Sequence, residues 1–156
     1  NISDERKLLL DTGGGILKGT EPFNENPFIV INPDTIWNNG YLDELNKLEK
    51  IFFKENKSSL LLVKKDNSFD TSFKGDFNLS DNLVSRDLEN EFIFTGAQIL
   101  NRKIFQSVNK EIFSMNAIWD ILIQKGNLIG IESHQKFYHV NTKYTYDQIL
   151  KLKSID

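Results

Sequence analysis

The 156-residue sequence contains no cysteine, which excludes disulfide bonds and thiolate metal sites. No apolar run approaches the roughly 18 residues that a membrane-spanning helix needs, and the first residues, NISDERK, do not resemble a signal peptide. The 19 basic and 22 acidic residues give a net charge of -3 without any block of one sign. This pattern indicates neither a nucleic-acid partner nor a membrane partner. A cytoplasmic protein is therefore expected.

The length and the 39% hydrophobic content are sufficient for one domain with a core of its own. We therefore expect a single domain over residues 1–156. The chain starts with Asn1 rather than methionine, so processed material or a fragment is expected.

Two apolar runs flank an amphipathic segment in the first half of the chain. Residues 28–32 (FIVIN) lie between two prolines and predict a strand buried on both faces of a sheet. Residues 41–55 have apolar side chains at spacings of three and four, which predicts a helix. Residues 59–65 (SLLLVKK) predict a second buried strand. Strand, helix and strand form a βαβ unit with parallel neighbouring strands, so the expected fold class is α/β.

The second half of the chain predicts a mixture of short strands and helices. Three strand-like pieces separated by turn residues favour a local antiparallel meander over residues 74–79, 83–87 and 91–100. The further elements expected are a helix between Ser114 and Gly126, strands over 128–133 and 136–140, and a last helix around 144–153.

Three consecutive glycines, Gly13, Gly14 and Gly15, precede a short amphipathic run. Glycine permits positive φ and close approach of a ligand to the backbone. At the start of a helix, such a segment presents free N–H groups to an anion or to the edge of a base. The alternative is a flexible turn, because the spacing matches neither a dinucleotide-binding motif nor a phosphate-binding P-loop.

Two further polar residues are candidates for metal binding. Asp34 follows the predicted strand at the position where open α/β sheets bind ligands. It could hold Mg²⁺ together with substrate phosphates, or it could form a turn or helix cap after Pro33. His139 lies in the alternating segment 137–140, where a histidine acts as a ligand or as a structural hydrogen-bonding group.

The order and spacing of several segments resemble the sugar-1-phosphate nucleotidyltransferases. The segments are ISDERKLLLDTGGGILKG, FIVINPDTIW, KGDF, FIFTGAQIL and FYHVNT. The match runs from about residue 2 to residue 150, and its most specific part is LLDTGGG followed by a strand that ends in Asn-x-Asp. The branch that the sequence resembles most is the bacterial N-acetylmuramate alpha-1-phosphate uridylyltransferases.

The resemblance implies a Rossmann-like mixed sheet flanked by helices, with an antiparallel sugar-binding insertion. It places Thr12 and the three glycines along the nucleotide base and ribose, and it makes Asp34 a Mg²⁺ ligand. Lys74 is expected to reach a phosphate, on the basis of its charge. The residues expected to line the sugar pocket are Gly75, Asp76, Thr95 and Gly96.

The implied reaction joins a nucleoside triphosphate to a sugar 1-phosphate. An oxygen of the sugar phosphate attacks the α-phosphorus, and pyrophosphate leaves, with Mg²⁺ as the cofactor. No general base is required, because the attacking phosphate is already anionic. The substrates implied are UTP and N-acetylmuramic acid 1-phosphate, in the synthesis of a nucleotide sugar for the cell envelope.

The sequence departs from the family pattern at two places. His139 stands where the family's W-x-D-V-G-T motif has a metal-binding aspartate, and imidazole suits Mg²⁺ less well than a carboxylate. His139 is therefore expected to bind the metal, to contact a phosphate or to hold the strand. The family's N-terminal loop, L-A-A-G-x-G-T-R, has no counterpart. We therefore expect a fragment with little or no transferase activity by itself, and a homodimer that covers the sheet edge.

Two other classes of function stay open at the level of sequence. The first is a binding module that keeps a nucleotide-sugar pocket without catalysis. The second is a metal-dependent glycosyltransferase that uses Asp34, which leaves the glycine triplet unexplained.

Overall fold

The computed structural model of the protein describes residues 2–23, 26–106 and 108–152. The helices are α1 (Asp11–Gly19), α2 (Tyr41–Glu55), α3 (Met115–Gln124) and α4 (Lys143–Ile149). The strands are β1 (Phe28–Ile31), β2 (Ser58–Lys64), β3 (Asn78–Ser80), β4 (Leu83–Ser85), β5 (Phe92–Leu100) and β6 (Leu128–Ser133). These strands form one sheet in the order β1-β5-β2-β6-β4-β3.

Helices cover both faces of this sheet. On one face, α1 and α3 pack on alternate residues of the central strands, such as Leu60, Leu62 and Leu100. On the other face, α2 packs on the intervening residues Leu61 and Ile99. Successive side chains of a strand point to opposite faces, so one apolar strand contributes to both cores. The predicted α/β class with a mixed sheet is confirmed.

The position of β1 differs from the prediction. This strand pairs with β5 alone among the described strands, so it lies at the edge of the sheet. Ile29 and Ile31 are 47% and 45% exposed, and the prediction of a strand buried on both faces is therefore wrong. A short apolar run does not reveal whether a second neighbouring strand is present.

The predicted parallel neighbours are also not adjacent. β5 lies between β1 and β2 and is antiparallel to both. The two strands of the predicted βαβ unit therefore run in the same direction, but they are separated by one strand. Among the described strands, the parallel pair is β2 with β6. The position of β5 depends on pairing between residues that are far apart in the sequence, and a local pattern does not specify such pairs.

The middle of the chain forms a hairpin rather than a complete meander. β3 and β4 pair antiparallel around a turn in which Asp81 and Asn82 have φ of 49° and 64°. β4 then pairs with β6, and β5 joins the centre of the sheet. The hairpin was correctly predicted, and the place of β5 was not.

The helices follow the sequence closely. α2 has the predicted bounds, and the Ser114 side chain accepts a hydrogen bond from the Asn116 N–H at the start of α3. Gly126, just beyond α3, has a φ of +63°, as expected of a residue that ends a helix. Within the described ranges, no helix is long and apolar enough to cross a membrane.

The C-terminal segment is less regular than predicted. In place of a strand over 136–140, the structure has isolated bridges from Phe137 to Ser68 and from His139 to Thr35. The last helix is α4, and the predicted end of that helix at Lys153 lies outside the described residues.

Candidate functional site

Asp34 and His139 are neighbours at the end of β1. The N–H of Val140 donates to the carbonyl of Asp34 at 2.7 Å, and the N–H of Ile36 donates to the carbonyl of Tyr138 at 2.9 Å. These backbone bonds hold the two segments side by side. The Nδ1 atom of His139 lies 3.8 Å from Oδ1 of Asp34. The two residues predicted as metal ligands are thus brought together.

The Asp34 carboxylate is accessible to solvent, whereas aromatic side chains contact the His139 imidazole. The Asp34 side chain is 46% exposed, and the His139 side chain is 22% exposed. The His139 ring stacks on Phe137 with centroids 6.0 Å apart and meets Phe73 edge-on at 5.6 Å. Aromatic contacts on two sides restrict the orientation of the ring.

A second carboxylate, Asp70, lies close to this pair. Hydrogen bonds from Ser72 hold its pKa below the usual range, and Asn141 and His139 add to this effect. The sequence analysis did not identify Asp70, because no motif surrounds it. The described residues contain no group of three or more His, Cys, Asp or Glu side chains that could hold a metal. Among the described residues, a cation at Asp34 would therefore have at most two side chains of these types as ligands, and substrate and water would complete its coordination.

The strand β5 bulges beside this site. Leu61 of β2 lies opposite three residues of β5, 95–97, since Leu60 pairs with Gln98 and Leu62 pairs with Phe94. Bulges of this kind redirect backbone groups and are common next to functional sites. The bulge is the part of β5 that contains the predicted sugar-site residues.

Gly96 and Thr95 in this bulge anchor the segment that carries Asp34. Gly96 has a φ of +98°, and its carbonyl accepts from the N–H of Asn32 at 2.9 Å. The Thr95 carbonyl accepts from the Thr35 hydroxyl at 2.7 Å. The Thr95 hydroxyl donates to the Leu61 carbonyl at 2.8 Å and is fully buried. Both residues therefore position the backbone around Asp34.

Gly75 and Asp76 pack against the beginning of β5. Asp76 Oδ2 accepts from the N–H of Phe94 at 2.9 Å. Gly75 has a φ of +84°, and a Cβ there would overlap the carbonyl oxygen of Asn90. Lys74 is exposed and forms no hydrogen bond or ion pair with the described residues. The structure thus brings Asp76 next to the bulge but shows no contact from Lys74 to the site.

The three glycines lie inside α1 rather than in a loop. The N–H groups of Gly13 and Gly14 donate to the carbonyl of Phe113 at 2.9 and 3.1 Å. The Thr12 hydroxyl accepts from the N–H of Met115 at 2.9 Å. The expectation that Gly13 and Gly14 have free N–H groups is therefore wrong, because both donate to the carbonyl of Phe113 in the segment before α3.

Close packing explains why side chains are absent at two of these positions. A Cβ on Gly13 would overlap the Phe113 ring, and a Cβ on Gly14 would overlap the carbonyl oxygen of Glu111. Gly15 has more space, since the nearest atom to its Cβ position is Oε1 of Glu5 at 3.0 Å. Gly15 faces a cleft instead.

That cleft lies between α1 and β1 and has a volume of about 490 Å³. Its lining includes Leu9, Asp11, Thr12, Gly15, Val30 and Asn32. Asn32 stands two residues before Asp34 in the sequence, whereas Asp34 and His139 are not among the lining residues of the cleft. We call this cavity the α1–β1 cleft.

Asp11 is a residue of the cleft that the sequence analysis missed. It has a φ of +61°, which is uncommon for a residue other than glycine and is often found at functional sites. The signal in the sequence was its place directly before Thr12. Its backbone conformation could be known only from the structure.

A larger cleft lies elsewhere. It has a volume of about 810 Å³ and lies between β1 and α2, with Pro27, Ile29, Leu45 and Phe53 in its lining. None of the predicted site residues lines it. We favour the smaller α1–β1 cleft, because two of the predicted nucleotide-binding residues, Thr12 and Gly15, line it.

No protein-family model matches the sequence, and a search of curated proteins also gives no match. Solved structures do match. HddC from Yersinia pseudotuberculosis complexed with GMP-PN is 24% identical with a TM-score of 0.66, and the alignment covers 92% of this chain and 62% of HddC. UDP-glucose pyrophosphorylase from Acinetobacter baumannii is 12% identical with a TM-score of 0.70, over 91% and 55% of the two chains.

The inositol-1-phosphate CTP transferase from T. maritima is a third similar structure, at 14% identity and a TM-score of 0.67. The alignment covers 87% of this chain and 58% of that protein. The chain therefore has the fold of the sugar-1-phosphate nucleotidyltransferases and spans about 60% of the length of these proteins.

Proposed function

We propose that this chain is part of an enzyme that transfers a nucleotidyl group from a nucleoside triphosphate to a sugar 1-phosphate. The observation that carries this proposal is the half-exposed carboxylate of Asp34 beside His139, on the chain segment that follows Asn32 in the lining of the α1–β1 cleft. A cleft of this volume suits a nucleoside. The similar fold of a UDP-glucose pyrophosphorylase and an inositol-1-phosphate CTP transferase, whose names state this kind of chemistry, supports the same conclusion.

The proposed reaction is a displacement at phosphorus. An oxygen of the sugar phosphate forms a bond to the α-phosphorus, the bond to the β-phosphate oxygen breaks, and pyrophosphate leaves with its electron pair. Catalysis of such a transfer depends on positioning and on neutralisation of charge. The protein therefore has to hold two anionic substrates in line.

The residues around Asp34 are suited to Mg²⁺. An accessible carboxylate and one imidazole offer two ligands, and Mg²⁺ commonly keeps water and substrate phosphates as its remaining ligands. When bound, the cation would neutralise charge on the reacting phosphates. Asp34 and His139 would hold it, and the exposed Lys74 would supply a further positive charge to a phosphate.

The bulge of β5 supports a sugar-binding role for its surroundings. Asp76 Oδ2 accepts a hydrogen bond from Phe94, and Oδ1 accepts none from the described residues. A carboxylate oxygen in this position can accept a hydrogen bond from a hydroxyl group of the sugar. Gly75, Thr95 and Gly96 would shape the pocket through their backbone.

The resemblance of the sequence supplies the first substrates to test. These are UTP and N-acetylmuramic acid 1-phosphate, in a cytoplasmic pathway to the cell envelope. The similar solved structures include one complexed with GMP-PN and one that is UTP-bound. Guanine and uracil nucleotides therefore both belong in the assay.

The test is pyrophosphate release with Mg²⁺, a nucleoside triphosphate and a panel of sugar 1-phosphates, on the protein at its native length. We expect release that depends on both substrates and falls at least a hundredfold in Asp34→Asn. Asp147→Asn, an exposed aspartate on α4, is the matched control and should keep the activity. Binding of a nucleotide sugar without any release would favour the alternative, a non-catalytic binding module.

A further inference from the structure

Thr35 lies where the Asp34 segment, the His139 segment and the bulge of β5 meet. Its backbone forms an isolated antiparallel bridge with His139. Its side chain is directed to the sheet, because the hydroxyl donates to the Thr95 carbonyl at 2.7 Å and the residue is 5% exposed. Asp34 precedes it directly in the chain. The following inference about Thr35 deepens the proposed function, on whose cation site it rests.

The Asp34 carboxylate is not fixed by hydrogen bonds of its own. The distance of 3.8 Å from its Oδ1 to His139 Nδ1 is longer than a hydrogen bond. Hydrogen bonds from the described residues reach the Asp34 carbonyl but not the carboxylate. The position of the carboxylate therefore depends on how the backbone around residue 34 is held.

Two sets of contacts hold that backbone. Backbone hydrogen bonds join residues 34–36 to residues 138–140, and a different side chain at position 35 would not remove them. The bond from the Thr35 hydroxyl to the Thr95 carbonyl is different, since only a side chain with a donor can form it. The residue at position 35 therefore decides whether the segment is attached to the bulge.

Burial alone does not explain this contact. A buried hydroxyl needs a partner, and a carbonyl close by in the chain can supply one. Thr20 shows this arrangement, because its hydroxyl donates to the Ile16 carbonyl at 2.8 Å at the end of the same helix. Thr35 instead donates to a residue 60 positions away in the sequence. Its hydroxyl thus connects the segment of one predicted metal ligand to the central strand of the sheet.

A cation that binds both Asp34 and His139 sets a limit on their separation. Metal–ligand distances of about 2.1 Å allow one Mg²⁺ ion to reach two atoms that are at most about 4.2 Å apart. The observed 3.8 Å lies within this limit, and a further separation of about 0.4 Å reaches it. Small shifts of the Asp34 segment therefore affect binding of a cation by both side chains.

We infer that Thr35 is a positioning residue for the cation site. Its hydroxyl attaches the Asp34 segment to the Thr95 carbonyl in the bulge and so keeps the carboxylate within reach of a cation bound at His139. A site that is held in place before its ligand arrives binds more tightly, because less order is lost on binding. Thr35 itself does not touch the cation.

Binding of Mn²⁺ to the protein at its native length, followed by the EPR signal of the free ion, tests the inference. Mn²⁺ prefers oxygen ligands, as Mg²⁺ does. We expect Thr35→Val and Thr35→Ala, which both remove the donor, to weaken Mn²⁺ binding about tenfold. Thr35→Ser keeps the hydroxyl and should bind within about twofold of the parent. Rescue by serine would identify the hydrogen bond, rather than the shape of the side chain, as the cause.

Thr20→Val is the matched control, because Thr20 is 6% exposed and its hydroxyl also donates to a carbonyl. It should lose stability in urea, as Thr35→Val does, but bind Mn²⁺ like the parent. Either donor-free variant at position 35 is sufficient if the other does not fold.

The outcomes separate this inference from the proposed function. Mn²⁺ binding that is unchanged in Thr35→Val or Thr35→Ala would overturn the inference and leave the proposed function intact. Mn²⁺ binding that depends on Thr35, without pyrophosphate release by the parent, would overturn the proposed function alone. A parent protein that binds no Mn²⁺ would overturn the inference together with the cation site.

Discussion

His139 Nδ1 lies 3.8 Å from Asp34 Oδ1, although the two residues are far apart in the sequence. Backbone hydrogen bonds between residues 34–36 and 138–140 create this proximity. In the nucleotidyltransferases that the sequence resembles, an aspartate stands at the histidine position. The pair therefore offers a direct test of how the chain binds a divalent cation.

Replacement of His139 by aspartate should strengthen Mg²⁺ binding. Two carboxylates repel each other without a cation, and carboxylate oxygen is a better ligand for Mg²⁺ than imidazole nitrogen. We expect His139→Asp to tighten Mg²⁺ binding at least severalfold in calorimetric titration, and Asp34→Asn to abolish it. His134→Asn is the control, since the His134 side chain is 76% exposed and the change adds no carboxylate. Unchanged Mg²⁺ affinity in His139→Asp would argue against a metal at this pair.

Alanine substitutions at the three glycines should have unequal effects on the free energy of unfolding. Gly13→Ala and Gly14→Ala should each destabilise by about 1–3 kcal/mol, because the added Cβ overlaps Phe113 or the Glu111 carbonyl. Gly15→Ala should change the stability by less than about 1 kcal/mol, because alanine favours the helix. Urea denaturation measures all three. Equal effects at the three positions would refute the packing explanation.

Gly96→Ala should disturb the site as well as the fold. Its φ of +98° strains any residue with a side chain, and the added Cβ would lie 2.7 Å from Cβ of Asn32. Gly126→Ala is the control, because Gly126 also has a positive φ but no neighbouring atom within 4 Å. We expect a loss of about 1 kcal/mol in Gly126→Ala from backbone strain and a larger loss in Gly96→Ala. The amide NMR shifts of Asn32, Asp34 and Thr35 should change only in Gly96→Ala.

Because of Tyr41, the stability of the protein should decrease as the pH becomes alkaline. Burial raises the pKa of its hydroxyl well above the usual value, and Glu44 and Tyr138 add to the shift. A group whose pKa is higher in the folded state stabilises the fold fully below its unfolded pKa, which is about 10. That contribution is lost as the pH rises from there toward the folded pKa.

The measurement compares Tyr41→Phe with the parent from pH 8 to 11. The Tyr41 hydroxyl donates to the Lys136 carbonyl at 3.4 Å, so the variant should lose about 1 kcal/mol at pH 8. Its stability should then fall less steeply above pH 10. Tyr144→Phe is the control, because Tyr144 is 73% exposed. Parallel pH profiles of Tyr41→Phe and the parent would show that the prediction is wrong.

The homodimer expected from the sequence stays a prediction. The outer edge of β1 has no partner among the described strands, and Ile29 and Phe53 are exposed beside it. Light scattering of the protein at native length would measure its oligomeric state.

The sequence by itself determined the elements that depend on local periodicity. The apolar spacing of α2, the Ser114 cap of α3 and the run that forms β2 are properties of neighbouring residues. The same is true of the segments that resemble the nucleotidyltransferases, from which Asp34 and His139 are predicted as metal ligands. The similarity to solved structures then confirmed the fold that the motifs implied.

Only the tertiary structure decided how these elements combine. In the tertiary structure β5 lies between β1 and β2, and the N–H groups of Gly13 and Gly14 donate to the Phe113 carbonyl. It also gave Asp11 its positive φ beside the apolar lining of the α1–β1 cleft. Long-range strand pairing accounts for the first feature, and the packing of α1 against the segment before α3 accounts for the second. These interactions join residues that are distant in the chain, and a local pattern does not specify such partners.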